Sequence, residues 1–237
     1  MNDQYQGLAK FYDQCVSQYR NYDEIATELA QVIGKARDLL DIGIGTGLIV
    51  ENLLEIEPKY KITGIDTSEP LLEEARQRLG GKVDLYCQSV SELDVGKKFD
   101  VAYSRGGAWT FLNTESEIML GSHIFSSEDI QKSFNCVAKH LQPGGLLIIS
   151  CSNAYGNSLV ELDNGIVHKK IATTELIENE YYALLNYLFY QNEKLLAQET
   201  VKLKLLSYQT CKMMLEKAGF IEKDIKAGKY YTYLKTT

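Results

Sequence analysis

Residues 38–56 read Asp38-Leu39-Leu40-Asp41-Ile42-Gly43-Ile44-Gly45-Thr46-Gly47-Leu48-Ile49-Val50-Glu51-Asn52-Leu53-Leu54-Glu55-Ile56. A short apolar run, a turn holding three alternate glycines and an amphipathic segment make a strand-turn-helix unit. Glycine tolerates positive φ and lets a ligand approach the backbone, and the turn opens directly onto a helix N-terminus. The loop therefore reads as a ligand cradle. A dinucleotide fingerprint would need its third glycine one position later, where Leu48 stands, so the spacing argues against a nicotinamide-dependent oxidoreductase.

Outward from this unit the chain alternates. Apolar strands are expected at 38–42, 61–65, 83–87, 99–104 and 146–151, and amphipathic helices at 48–56, 70–79 and 127–141, the rhythm of a mostly parallel sheet with flanking helices. Pro70 suits a first helical turn, with Ser68 placed to cap it. After Cys151 the rhythm breaks. Segments 166–171, 181–190 and 199–206 look extended, and Val201, Leu203 and Leu205 alternate with Lys202 and Lys204 as in a strand wet on one face. These predict an antiparallel insertion. Helix 208–218, Gly219 and a strand at 230–234 then resume the α/β pattern. At the other end, Leu8, Phe11, Tyr12, Val16, Tyr19, Ile25, Leu29 and Val32 predict two helices within 7–32.

The 237 residues suit one domain with an insertion, and 45% apolar with 24% charged residues is the balance of a packed protein. Net charge is −7, and no dense Lys/Arg run offers a track for a phosphate backbone, so no nucleic-acid partner is expected. The apolar runs are strand-sized and the polar start Met1-Asn2-Asp3-Gln4 carries no signal pattern, so the expectation is a cytoplasmic protein without a membrane partner. The five cysteines are scattered and never form CxxC; neither a disulfide framework nor a metal site is expected.

The acidic residue Asp41 before Gly43, Gly45 and Gly47, together with Asp66 at the end of Gly64-Ile65-Asp66-Thr67-Ser68, resembles the class I S-adenosylmethionine-dependent methyltransferases of the small-molecule type. Strand Phe99-Asp100-Val101-Ala102-Tyr103, the turn Leu141-Gln142-Pro143-Gly144-Gly145 and Ala218-Gly219-Phe220 extend the likeness, which covers 11–151 and 208–234 but not the insertion. The resemblance implies a Rossmann-like, mostly parallel seven-stranded sheet in one domain: 1–34 a helical lid, 35–152 the cofactor-binding core, 153–206 a β insertion or substrate cap, and 207–237 the completion of the core.

It also implies S-adenosyl-L-methionine as cofactor, with S-adenosyl-L-homocysteine as product. Asp41 would then serve the methionine ammonium, and Asp66, about 20 residues past the loop, the ribose hydroxyls. Thr67 follows it. Ser89 stands where the family usually has Asp for the adenine amino group, and the Val90 amide follows. Ser104, at the end of the fourth strand, and Tyr12, in the aromatic-rich start, complete the expected cofactor set. Methyl transfer from a sulfonium needs donor and acceptor held in line rather than a nucleophilic side chain. Acceptor contacts are expected from Arg105 and Trp109 on the glycine-containing turn after the fourth strand, with His168 of the insertion as a candidate base. The acceptor is expected to be a small metabolite or natural-product intermediate methylated on oxygen or nitrogen, with a homodimer formed through the insertion. The sequence leaves open a non-catalytic S-adenosylmethionine-binding module or partner subunit.

Overall fold

The computed structural model describes residues 21–114, 117–152, 155–162, 165–226 and 229–236. Helix α1 (Tyr22–Ile33) begins at Asn21, whose side chain accepts a hydrogen bond from the Glu24 amide. Strand β1 (Asp38–Ile42), helix α2 (Leu48–Ile56), strand β2 (Lys61–Asp66), helix α3 (Glu69–Leu79) and strand β3 (Asp84–Cys87) follow in the predicted alternation. Strand β4 (Phe99–Ser104) joins β1 in parallel, and helix α4 (Ser127–His140) leads into the long strand β7 (Leu141–Ser152), which joins β4 in parallel. The parallel part of the sheet thus has the order β3-β2-β1-β4-β7. Its central strand β1 is buried on both faces: Leu39 packs with α1, α2 and α3, while Leu40 and Ile42 pack with α4 and helix α5 (Tyr208–Lys217). Beyond β7 the final strands β12 (Phe220–Lys226) and β13 (Tyr230–Lys235) are antiparallel.

The expected seven strands are thirteen among the described residues, because the core and the insertion form a single sheet. A hairpin that the sequence reading left unassigned, β5 (Trp109–Asn113) with β6 (Ile118–Ser122), joins them. Strand β5 takes up the end of β7 just past the point where β4 lets go: Ser104 lies opposite Ile149, and Phe111 opposite Cys151. Strand β6 then pairs with β11 (Lys194–Ser207), and β10 (Glu180–Gln191), β9 (Ile166–Ile177) and β8 (Ser158–Glu161) complete the predicted antiparallel insertion. One row of residues runs Trp109, Ser122, Lys204, Tyr182 and Glu175 across five strands.

Three expectations are corrected by packing. Lys204 does not lie on a wet face: it is buried and paired with Glu180, whose other oxygen accepts from the Tyr182 hydroxyl, while Lys202 sits 3.9 Å above the Tyr182 ring. Ser68 precedes α3 without a side-chain cap, and its amide donates to Asp66 instead. Trp109 is 0% exposed, with its ring 4.7 Å from that of Phe134 on α4, so it anchors the core and offers no wall to a ligand. The first predicted N-terminal helix lies outside the described residues. Among the described residues no helix is long and apolar enough to cross a membrane. Trp109→Ala should destabilise the fold by about 3–5 kcal/mol, read from urea unfolding followed by circular dichroism. A loss below about 1 kcal/mol would contradict the anchor.

Candidate active site

The glycine loop is shaped by backbone contacts. The amides of Gly43 and Ile44 both donate to the Ile65 carbonyl, at 2.8 and 3.1 Å, which folds the loop over the end of β2. The three glycines then serve three purposes. A Cβ on Gly43 would lie 2.3 Å from the Cα of Gly107, and one on Gly107 would lie 2.1 Å from the Ile42 carbonyl oxygen. The turns after β1 and β4 therefore touch backbone to backbone. Gly47, at φ 80°, starts α2 and packs on Leu79 of α3. Gly45 faces open space: a Cβ there would meet nothing within 4 Å. Arg78 secures the loop from α3, donating to the Thr46 carbonyl and hydroxyl at 2.8 and 3.1 Å while paired with Glu51.

Two carboxylates border this open stretch of backbone. Asp66 accepts the Gly45 amide on one oxygen and the Ser68 amide on the other, both at 2.9 Å, which fixes its plane between loop and helix. Asp41 is buried, and burial lifts its pKa to about 7, helped by Asp66 and opposed by the Tyr103 hydroxyl and Arg105. Tyr103 lies opposite Asp41 in the β1–β4 ladder, its phenol turned to the carboxyl although no hydrogen bond of ordinary length closes. Arg105, one residue beyond β4, bears by charge on both Asp41 and the Tyr230 phenol.

The sequence-predicted residues divide. Asp41, Gly43, Gly45, Gly47, Asp66 and Arg105 come together at the carboxyl ends of β1, β2 and β4, and Thr67 lies exposed at the β2–α3 junction. Ser89 is turned inward to the short 3-10 turn Val90–Glu92, with its Oγ 2.8 Å from the Ser91 hydroxyl, and the Val90 side chain is in the core. The Ser104 hydroxyl is engaged within its own turn: it donates to the Trp109 carbonyl at 2.8 Å and accepts the Trp109 amide at 3.2 Å, closing the turn between them. His168 is corrected too. It is buried in the insertion, stacked on Phe189 and Tyr187, and lies seven strands from β1 along the sheet. Tyr12 lies outside the described residues.

Two residues were missed. The His123 amide donates to the Ala108 carbonyl, which puts this histidine beside the turn after β4, and burial lowers its pKa to about 4, so the imidazole is neutral at ordinary pH. The signal was only its place just after an unrecognised strand. Gln88 donates its amide to the Asp66 carbonyl, and its buried side-chain nitrogen has no hydrogen-bond partner among the described residues. Nothing in the sequence distinguished it from a surface glutamine.

An open glycine backbone flanked by one buried and one amide-held carboxylate fits a cationic, hydroxyl-bearing ligand. The methyltransferase-domain model matches residues 39–145, the stretch that builds this loop and both carboxylates. This match, with the relatives and solved structures that follow, supports a class I S-adenosylmethionine-dependent methyltransferase. The malonyl-[acyl-carrier protein] O-methyltransferase of Acetivibrio thermocellus is 31% identical over 98 residues, 40% of this chain and 35% of that protein. The chain spans 35%, 44% and 50% of the lengths of three such curated relatives. Among solved structures, an S-adenosylmethionine-dependent methyltransferase from Clostridium acetobutylicum superposes with a TM-score of 0.69 at 19% identity, over 99% of this chain and 100% of that one. The amino pentose methyltransferase of calicheamicin biosynthesis from Micromonospora echinaspora superposes with a TM-score of 0.71 at 18% identity, over 100% and 99%. These two likenesses concern the fold.

The glycine pair provides a graded test. Gly43→Ala and Gly107→Ala each drive a methyl into backbone and should cost about 1–3 kcal/mol or more of unfolding free energy. Gly45→Ala meets only the strain of a positive φ, about 1–2 kcal/mol, and should be the mildest of the three. Urea unfolding curves rank them; a Gly45 variant less stable than both others would remove the backbone contact as the constraint.

Proposed function

We propose that this chain transfers a methyl group from S-adenosylmethionine to an oxygen or nitrogen of a small metabolite or natural-product intermediate. The observation that carries the reading is the continuity of the sheet. The hairpin β5–β6 leaves the cofactor turn at Trp109 and pairs directly with the insertion, so the insertion is fixed relative to the loop rather than hung on a linker. This supports its reading as an acceptor cap. The amino pentose methyltransferase shares the fold over the whole chain, insertion included, whereas the methyltransferase-domain match ends at residue 145.

In this reading Asp41 receives the methionine ammonium and Asp66 the ribose hydroxyls, with Gly45 exposing its backbone between them. Gln88, rather than Ser89, offers a side-chain amide at the adenine end, since Asn and Gln amides match the hydrogen-bonding edge of adenine. When bound, the cofactor supplies a sulfonium methyl already activated by positive charge, so the chain's own work is to hold the two reactants in line and exclude water. His123 is the neutral imidazole at this end, and takes the place that His168 was given as proton acceptor. The exposed apolar side chains Leu159, Leu176, Tyr181, Leu195 and Leu196 all lie on the insertion, which supports self-association through it.

Incubation of the protein with methyl-labelled S-adenosylmethionine and a fractionated small-metabolite extract should transfer label into a small amine or hydroxyl compound. Binding of the cofactor with no pool labelled would leave a non-catalytic binding module. A second test uses acidity. Because burial holds Asp41 near pH 7 and the ammonium favours its ionised form, binding below that pH must expel a proton. Relative to Asp41→Asn, the wild-type affinity should fall about tenfold between pH 8 and pH 6, measured by titration calorimetry. A ratio that stays flat would move the ammonium away from Asp41.

A further inference from the structure

We propose that Arg105 receives the α-carboxylate of the methionine end of S-adenosylmethionine, forming with Asp41 a charge pair that reads the whole amino-acid zwitterion. The inference rests on the assignment of the cofactor to this site. Its basis is the placement of one turn. Ser104 ends β4 and clamps the backbone of Trp109, so the four residues between them form a closed loop. That loop is pressed against the glycine loop at Gly107, whose Cα approaches Gly43 too closely for any side chain on either. Arg105 stands on the β4 side of the contact, two residues after Tyr103, which lies opposite Asp41 in the ladder. The turn therefore cannot swing the arginine away from the carboxylate without separating two touching backbones.

The chemistry of the ligand end calls for such a cation. An α-amino acid brings an ammonium and a carboxylate on one carbon, and Asp41 with Asp66 already places two acidic groups within mutual influence. A third carboxylate brought beside them is repelled unless a cation accompanies it. A guanidinium offers five donors in a planar fork that matches a carboxylate in two-point contact. Tyr230, buried on β13 where that strand pairs with β7, feels the same guanidinium by charge. Arg78, the other guanidinium at the loop, is committed to Thr46 and Glu51.

Two probes separate the roles: S-adenosylmethionine and its decarboxylated form, which keeps the amine, sulfonium and adenosine but lacks the carboxylate. Titration calorimetry of wild type, Arg105→Met and Arg105→Lys is expected to show Arg105→Met losing about tenfold or more in affinity for S-adenosylmethionine, with affinity for the decarboxylated form within twofold of wild type. Arg105→Lys, which keeps charge without the fork, should lie between. An equal loss toward both probes would overturn the proposal, since a purely structural arginine would weaken both alike. Thermal unfolding checks that each variant folds, and should Arg105→Met fail to do so, the lysine variant carries the same comparison. Wild type that binds neither probe would instead refute the cofactor assignment on which the inference stands.

Discussion

The contact on which the site depends is that of two backbones, Gly43 and Gly107, each of which would push a side chain into the other's main chain. Strands β1 and β4 are neighbours in the sheet, but strand pairing alone lets the turns beyond them diverge. Removing the Cβ at both positions brings the turns together, and the charges they carry come with them: Asp41 just before one glycine, Arg105 just before the other pair. The same contact leaves Gly45 as the glycine that looks outward, and its amide, held by Asp66, sets where the open stretch of backbone ends.

This closeness has an electrostatic cost that shows in Asp41. A carboxyl taken out of water beside another carboxylate is hard to ionise, and neither the Tyr103 phenol nor Arg105 compensates fully, so the group rests near neutrality in its titration. The site is therefore strained in charge rather than in geometry. In the proposed assignment a bound ammonium relieves that strain, which is the general form of a site whose stability is highest when filled.

Much of this was legible in the sequence, and the reason is distance along the chain. Asp41, the three glycines and Asp66 lie within one strand-turn-helix-strand unit, where local pattern and spacing determine position. The role of Gly107 was not legible, because its true neighbour, Gly43, is far away in sequence. Trp109 and Ser104 were misread for the same cause: the turn after β4 is closed by a hydrogen bond between them, and the aromatic ring is claimed by Phe134 of α4. The hairpin β5–β6 carried a signal, the alternation of Trp109, Phe111 and Leu120 on one face, but each strand is only five residues long and neither has a glycine-rich turn to announce it. Lys204 was read as wet because alternation reveals two faces without saying what covers the second; here Glu180 and Tyr182 do.

The charges at the loop also bear on turnover. With both acids ionised, Asp41, Asp66 and Arg105 sum to −1, and the cofactor, with sulfonium, ammonium and carboxylate, carries +1. In the proposed assignment the filled site is neutral. Loss of the methyl group turns the sulfonium into an uncharged thioether, so the product carries no net charge and leaves the site at −1. In a poorly hydrated pocket an uncompensated unit charge weighs heavily. It disfavours the product relative to the reactant, and the buried Asp41, whose pKa already stands close to neutral, is the group on which that imbalance falls.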